Sequence, residues 1–422
     1  MLGLTGPVGG TRKGIAWYCR TRANSMLSVV NMGSMGRFYE GGKRLHALDT
    51  LRGVAALSIV FWHWQHFFAI SGNWQAGWSR AQEPFYSVFK PLYEQGWAAV
   101  DLFFPLSGFI FFWLYGEAIR ERRIGAASFA WLRFSRLYPL HLLTLLIVAG
   151  LQFLFWRATE GFFIYDANDV AHFASSLLMA QQWLPPTIEQ SFNGPAWSVS
   201  VEVLLYIGFF ALSRLGLRGF WPALAVSLLG ILLYKWNWFI SRGVMGFFAG
   251  GAIYALDRIV VARLDAKRIA RRICAAAIVL WIVTLVEAYL GPLHDACYWL
   301  SGHISPEMGK LYIGTSRDLF LLLFIFFVGP VTILALALGE QVLGASWERL
   351  SFLGDISYST YLLHFPMQLA LALVAVHFAL TPAFFENWVA LVAFYAVLIG
   401  LGLLSFHFFE RPLQRMLRRT RH

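Results

Sequence analysis

Ten stretches of this chain are apolar over nearly the length a helix needs to cross a lipid bilayer, and that feature alone excludes most folds. A hydrocarbon core of roughly 30 Å takes about 20 helical residues. The runs centre on residues 54–71, 97–115, 137–156, 196–213, 219–235, 240–257, 273–291, 319–338, 358–377 and 388–409. Backbone N–H and C=O groups in hydrocarbon must be satisfied within the segment, so such runs fold as helices. Composition agrees: 58% of the 422 residues are hydrophobic and 14% charged, and mean hydropathy is +0.58. Soluble domains lie nearer about 45–50% and about 25%. The expected fold class is an all-α polytopic membrane protein with about ten transmembrane helices.

An even number of spans puts both termini on one side, and loop charge says which. Lys and Arg number 34 against 23 Asp and Glu, a net +11. In a soluble chain that excess would suggest nucleic acid. In a membrane chain it marks cytoplasmic loops, so no nucleic-acid partner is expected. With a cytoplasmic amino terminus, 27 of the basic residues fall inside and 7 outside (Arg80, Lys90, Arg157, Lys235, Arg242, Lys310, Arg317). Asp and Glu divide far more evenly, as expected of a rule that counts positive charge only. Three cysteines, Cys19, Cys274 and Cys297, have no metal-like spacing and imply neither a disulfide framework nor a metal site. Residues 1–44 contain no run suited to a signal peptide and read as a disordered tail, with Met26, Met32 or Met35 as alternative starts. Residues 45–412 form the membrane domain, and 413–422 a basic tail.

Ionisable groups at bilayer depth cost about 2.5–3.5 kcal/mol each, so each invites a functional reading. The first run reads LDTLRGVAALSIVFWHW, with Arg52 at its cytoplasmic mouth and His63 eleven positions on. Eleven residues return to within about 20° of three full turns, so the two side chains share a face about 16 Å apart along the axis. His63 then lies near the midplane above a cation. A rod with an anionic head and a reactive tail fits that face, and acyl-coenzyme A is such a rod. Neutral histidine accepts protons in acyl transfer. The competing reading is a core histidine bonded to a neighbouring helix and an arginine that marks the inner edge. His66, one turn on, reads as interfacial.

Further polar groups recur in the later runs. DLFFPLSGF carries Asp101, either a partner for a cation or a helix cap, and Ser107–Gly108, either a site or a close-packing pair. RFSRLYP sets Arg133 and Arg136 three apart on one face, where two guanidiniums can clamp a phosphate-rich head or simply anchor the inner edge. NGPAWSVSVE places Trp197 at the interface and Ser198, Ser200 and Glu202 just below it, with Glu202 suited to hold an acceptor or orient a histidine. ISYSTYLLHFP adds Tyr358, Tyr361 and His364; in FFERP, Glu410 beside Arg411 reads as a structural ion pair. The long outer connections 72–96, 157–195 and 292–318 are rich in aromatic residues, which hold sugars or sit at the interface.

Six strings, LDTLRGVAALSIVFWH, DLFFPLSGF, RFSRLYPL, GPAWSVSVE, ISYSTYLLHFP and FFERP, run in order from residue 48 to 412. Together they resemble the integral-membrane acyltransferase family 3, the bacterial inner-membrane O-acyltransferases of surface and exported glycans. Thr50 and Pro105 depart from the usual pattern without touching a reactive group. The resemblance implies that Arg52 and His63 form the family's arginine–histidine motif, with His63 essential, and that Arg133 and Arg136 are its paired arginines. The expected reaction moves an acyl group, most simply acetyl, from cytoplasmic acyl-coenzyme A to a hydroxyl of an extracytoplasmic carbohydrate. Arg52, Arg133 and Arg136 would bind the donor. His63 would be base or acyl carrier, with Asp101 or Glu202 orienting it. Trp197, Ser198 and Ser200 would meet the acceptor, and Ser107, Tyr361 and His364 are further candidates. Acyl-coenzyme A is a co-substrate, and no cofactor or metal is expected to be permanently bound. The alternative is a transporter or flippase of lipid-linked saccharide, which would line its whole path with polar groups. A membrane-bound O-acyltransferase of the lipid-modifying type also uses an intramembrane histidine but lacks this arginine–histidine spacing.

Overall fold

The computed structural model describes residues 44–70, 73–183, 189–304 and 311–419. The expected tail, apart from Arg44, lies outside the described residues, as do its alternative starts and residues 420–422. Each expected span is a helix. They are α1 (His46–His63), α2 (Tyr86–Arg120), α3 (Ala126–Thr159), α4 (Trp197–Arg214), α5 (Phe220–Leu233), α6 (Trp238–Val261), α7 (Ala266–Leu290), α8 (Thr315–Gln341), α9 (Ser357–His377) and α10 (Trp388–Leu404). The chain continues from α10 through one wide turn into α11 (Arg411–Arg419). Among the described residues the only strands are the two-residue pair Ala69–Ile70 and Asn73–Trp74. The molecule is an all-α polytopic membrane protein.

Two spans differ from expectation. Among the described residues, eight helices are long and apolar enough to cross a membrane; α1 and α5 are not among them. The α5 helix stops after 14 residues, about 21 Å of rise. The α1 helix begins eight residues before the run centred on 54–71 and ends at His63, where the chain tightens into the 3₁₀ turn Trp64–Phe68. Its early start has a local cause. Glu340 of α8 accepts hydrogen bonds from the His46 and Ala47 amides at 3.1 and 2.7 Å, satisfying two of the donors that a helix start leaves open. His63 therefore terminates its helix, whereas the sequence placed it part-way along.

The α2 and α6 helices form the centre. Their approach depends on glycine: a Cβ at Gly108 would overlap the Phe247 carbonyl, and one at Gly250 the Pro105 carbonyl. Close packing is thus the role of Gly108, as small residues at helix contacts generally allow. In α2, 67% of the most apolar window is buried, against 11% in α7, so α7 presents its sides outward. The expected basic tail from residue 413 is, through Arg419, a helix docked on α3, where the Trp131 indole donates to the Leu417 carbonyl at 2.9 Å.

Candidate active site

Two cavities abut at Tyr361, whose side chain lines both. The first, about 130 Å³, is walled by Arg52, Arg133, Arg136, Ser107, Ser198 and Glu202 together with α9 residues Ser357 and Tyr358. The α3 helix brings Arg133 and Arg136 there on one face, as their spacing requires. Arg133 donates to the Tyr115 hydroxyl at 2.8 Å and stacks over Phe111 at 5.0 Å, but its buried Nε has no partner. Neither Arg133 nor Arg136 makes an ion pair among the described residues. The carboxylates whose charge acts on Arg136 are Glu202 and Glu410. Arg52 is differently placed. Its Nη2 lies 3.0 Å from Asp49, and Nε and Nη2 donate to the Gly354 carbonyl at 3.2 and 2.6 Å. Only part of that guanidinium remains for a ligand.

The second cavity, about 410 Å³, has His63 and His66 in its wall with Trp62, Trp97, Trp197 and Trp238, and it shares Tyr165 and Gln190 with a wider outer groove. Here His63 meets a partner 301 positions away: its Nδ1 lies 3.0 Å from His364 Nε2, the rings stacked with centroids 4.9 Å apart. His364 is fully buried, and its Nδ1 has no hydrogen-bond partner among the described residues. In one of the two tautomeric arrangements open to the pair, His63 Nδ1–H donates to His364 Nε2. This leaves the lone pair of His63 on Nε2, which has no hydrogen bond among the described residues. Gln368 holds the pair's frame: its amide donates to the His63 carbonyl at 2.9 Å, and its carbonyl faces His66 Nδ1 at 3.2 Å. His66, expected at the interface, is buried in this network.

The structure redistributes several expected residues. Asp101 does not reach His63. Both its oxygens are taken by Arg242, at 2.9 and 2.5 Å, and the guanidinium is boxed by Trp97, Trp197 and Trp238 with ring distances of 4.2–5.3 Å. Arg242, counted by sequence among the outer-side charges, is a buried residue of α6. Glu202 does not orient the imidazole either; it accepts from Ser107 at 2.9 Å and Tyr206 at 2.5 Å within the arginine cavity. Trp197 faces the histidine cavity, whereas Ser198 bonds the Tyr361 hydroxyl at 2.8 Å. Ser200 faces neither: fully buried, it accepts from the Gln182 amide at 3.2 Å. Glu410 is held by Ser359 and Ser405, not by Arg411, whose guanidinium lies over Phe406.

An acyltransferase domain family matches residues 45–407, almost the whole described chain. The chain belongs to acyltransferase family 3. It is 35% identical over 170 residues to the acyltransferase MdmB of Streptomyces mycarofaciens, covering 39% of this chain and 38% of that protein. It is 31% identical over 172 residues to protein 2 in the picA locus of Rhizobium radiobacter, covering 39% of this chain and 79% of that one. The match to MdmB thus spans well under half its length. No solved structure matches. Membership accounts for the order of the six strings but names neither His364 as the partner of His63 nor Arg242 as the partner of Asp101. One signal for the second pair was present: Arg242 stands inside the apolar run ISRGVMGFF, where an ionisable group needs a counter-ion.

Proposed function

We propose that the protein transfers an acyl group, acetyl in the simplest case, from cytoplasmic acyl-coenzyme A to a hydroxyl of an extracytoplasmic, sugar-bearing acceptor in the bacterial inner membrane. The observation that carries this reading is the free Nε2 of His63 on an aromatic cavity that adjoins an arginine cavity across one tyrosine. The family and an acyltransferase among its relatives support the class of reaction. Arg133 and Arg136 hold the donor's phosphates, and the pantetheine arm passes Tyr361 to bring the thioester to His63. Tryptophan walls suit the apolar faces of a sugar, and the adjoining groove leaves room for more than one ring.

The chemistry then balances without further reactants. His63 Nε2 takes the proton of the acceptor hydroxyl as its oxygen bonds to the thioester carbon. The carbon–sulfur bond breaks, and the imidazolium returns the proton to the departing thiolate. His364 steadies the imidazolium's Nδ1–H throughout. A flippase would not place its polar groups at one basic mouth and one histidine pair. In purified protein given radiolabelled acetyl-coenzyme A, His63→Ala should lower release of free coenzyme A by about 10²–10⁴-fold, the usual worth of a general base. A variant that keeps a third of the activity would remove His63 from the mechanism.

A further inference from the structure

We propose that Arg418, on the C-terminal helix α11, is a third phosphate ligand of the donor, held beside the arginine cavity rather than in its wall. The inference rests on the acyl-coenzyme A reading above and names a residue that the arginine pair of α3 does not include. Arg418 packs against the turn of α3 that carries that pair. Its Nε donates to Ser135 Oγ at 3.1 Å and its Nη2 to the Leu132 carbonyl at 3.2 Å, the residues immediately before Arg136 and Arg133. Its side chain is half-buried, whereas its basic neighbours Arg415 and Arg419 are exposed. Among the groups whose charge acts on it, Arg133 comes first, followed by Tyr115 and Arg136.

A staple alone does not explain this residue. Both acceptors are neutral, and a neutral amide would serve a hydroxyl and a carbonyl without repulsion. Instead three guanidiniums gather about one turn of α3, with no ion pair to any of them among the described residues. Partly desolvated like charges are costly unless an anion joins them. Of the roughly five N–H donors of a guanidinium, Arg418 uses two on α3 and keeps the rest for a ligand. Acyl-coenzyme A carries a diphosphate and a separate phosphate monoester, more negative charge than two arginines offset. Planar guanidiniums bind such groups through paired N–H contacts.

The test is coenzyme A affinity by titration calorimetry on the full-length protein in neutral detergent, which keeps anionic lipid out of the comparison. Arg418→Gln should weaken binding by about tenfold, an effect that shrinks toward 1 M salt as screening shortens to about 3 Å. Arg418→Lys keeps the charge but loses the planar fork, and should weaken it roughly threefold. Ser135→Ala removes one staple contact and leaves the cation, so its affinity should match wild type. Repeating the series with dephospho-coenzyme A assigns the contact: a loss that vanishes places Arg418 on the monoester, and one that persists places it on the diphosphate. Arg133→Gln is the reference. If it weakens binding while both Arg418 variants bind as wild type, Arg418 is only a staple and the inference is overturned. If Arg133→Gln also binds as wild type, the donor reading itself fails.

Discussion

Arg242 and the Arg133–Arg136 pair are guanidiniums within the same helical bundle, and they are treated in opposite ways. Arg242 is sealed: 3% of its surface is exposed, Asp101 takes it with two oxygens, and three indoles cover its faces. Arg133 and Arg136 open onto a cavity, and one Arg133 nitrogen is buried without an acceptor. Removing a charge from water is costly, and a fixed counter-ion offsets that cost permanently. A charge left without one is stabilised only when a ligand brings the counter-ion. The contrast separates architecture from binding better than residue type does, since all three are arginines in apolar runs.

The largest effect should come from breaking the sealed pair. Asp101→Ala leaves Arg242 buried and uncompensated, which typically costs about 3–5 kcal/mol. Thermal unfolding in detergent should show it, and the double variant with Arg242→Met should recover much of the loss. If Asp101→Ala unfolded like wild type, the pair would not be structural. The open pair should behave in the reverse sense. Arg133→Gln should leave the unfolding temperature unchanged or raise it, because it removes a buried guanidinium nitrogen that has no acceptor. Arg136→Gln should change it little, because Arg136 makes no ion pair among the described residues. Coenzyme A affinity should instead fall about 5- to 150-fold, for about 1–3 kcal/mol per lost charge-assisted contact. Large destabilisation with unchanged affinity would erase the distinction.

How much of this was legible in the sequence follows from distance along the chain. Arg133 and Arg136 share a cavity because helical periodicity is local, and a three-residue spacing fixes it. The ten helices follow from apolar length for the same reason. Arg52 and His63 also share a helix, yet they line different cavities, because Tyr361 from α9 stands between those cavities. Pairings across the bundle left no periodic trace: His63 with His364 spans 301 positions, and Asp101 with Arg242 spans 141. The positive-inside count registered Arg242 only as an outer-side charge, because that rule takes no account of a carboxylate on a neighbouring helix. Ser200 and Glu410 have the composition of site residues, but their hydrogen bonds are already taken by the fold.

A third charged pair, Arg80 with Glu83, lies between the sealed and the open case and gives the smallest expected effect. Arg80 gives its short contact, 2.5 Å, to the Tyr93 carbonyl and stays 3.5 Å from Glu83, whose other oxygen is buried without a partner. Burial therefore wins over the half-made pair and pushes the Glu83 carboxyl up to about 8, against the lowering pull of Arg80. A folded value above the ordinary carboxylate value means that the native state holds a proton the unfolded chain has released. The stabilisation is complete below the ordinary carboxylate range and is lost as pH rises through about 8. From pH 7 to pH 8 that linkage amounts to about 1 kcal/mol for one proton. Unfolding temperature should therefore fall across that interval in the wild type, and Glu83→Gln, which cannot ionise, should flatten the decline. Asp101→Asn should not flatten it. If Glu83→Gln kept the full wild-type decline, Glu83 would belong with the sealed pair, its charge compensated after all.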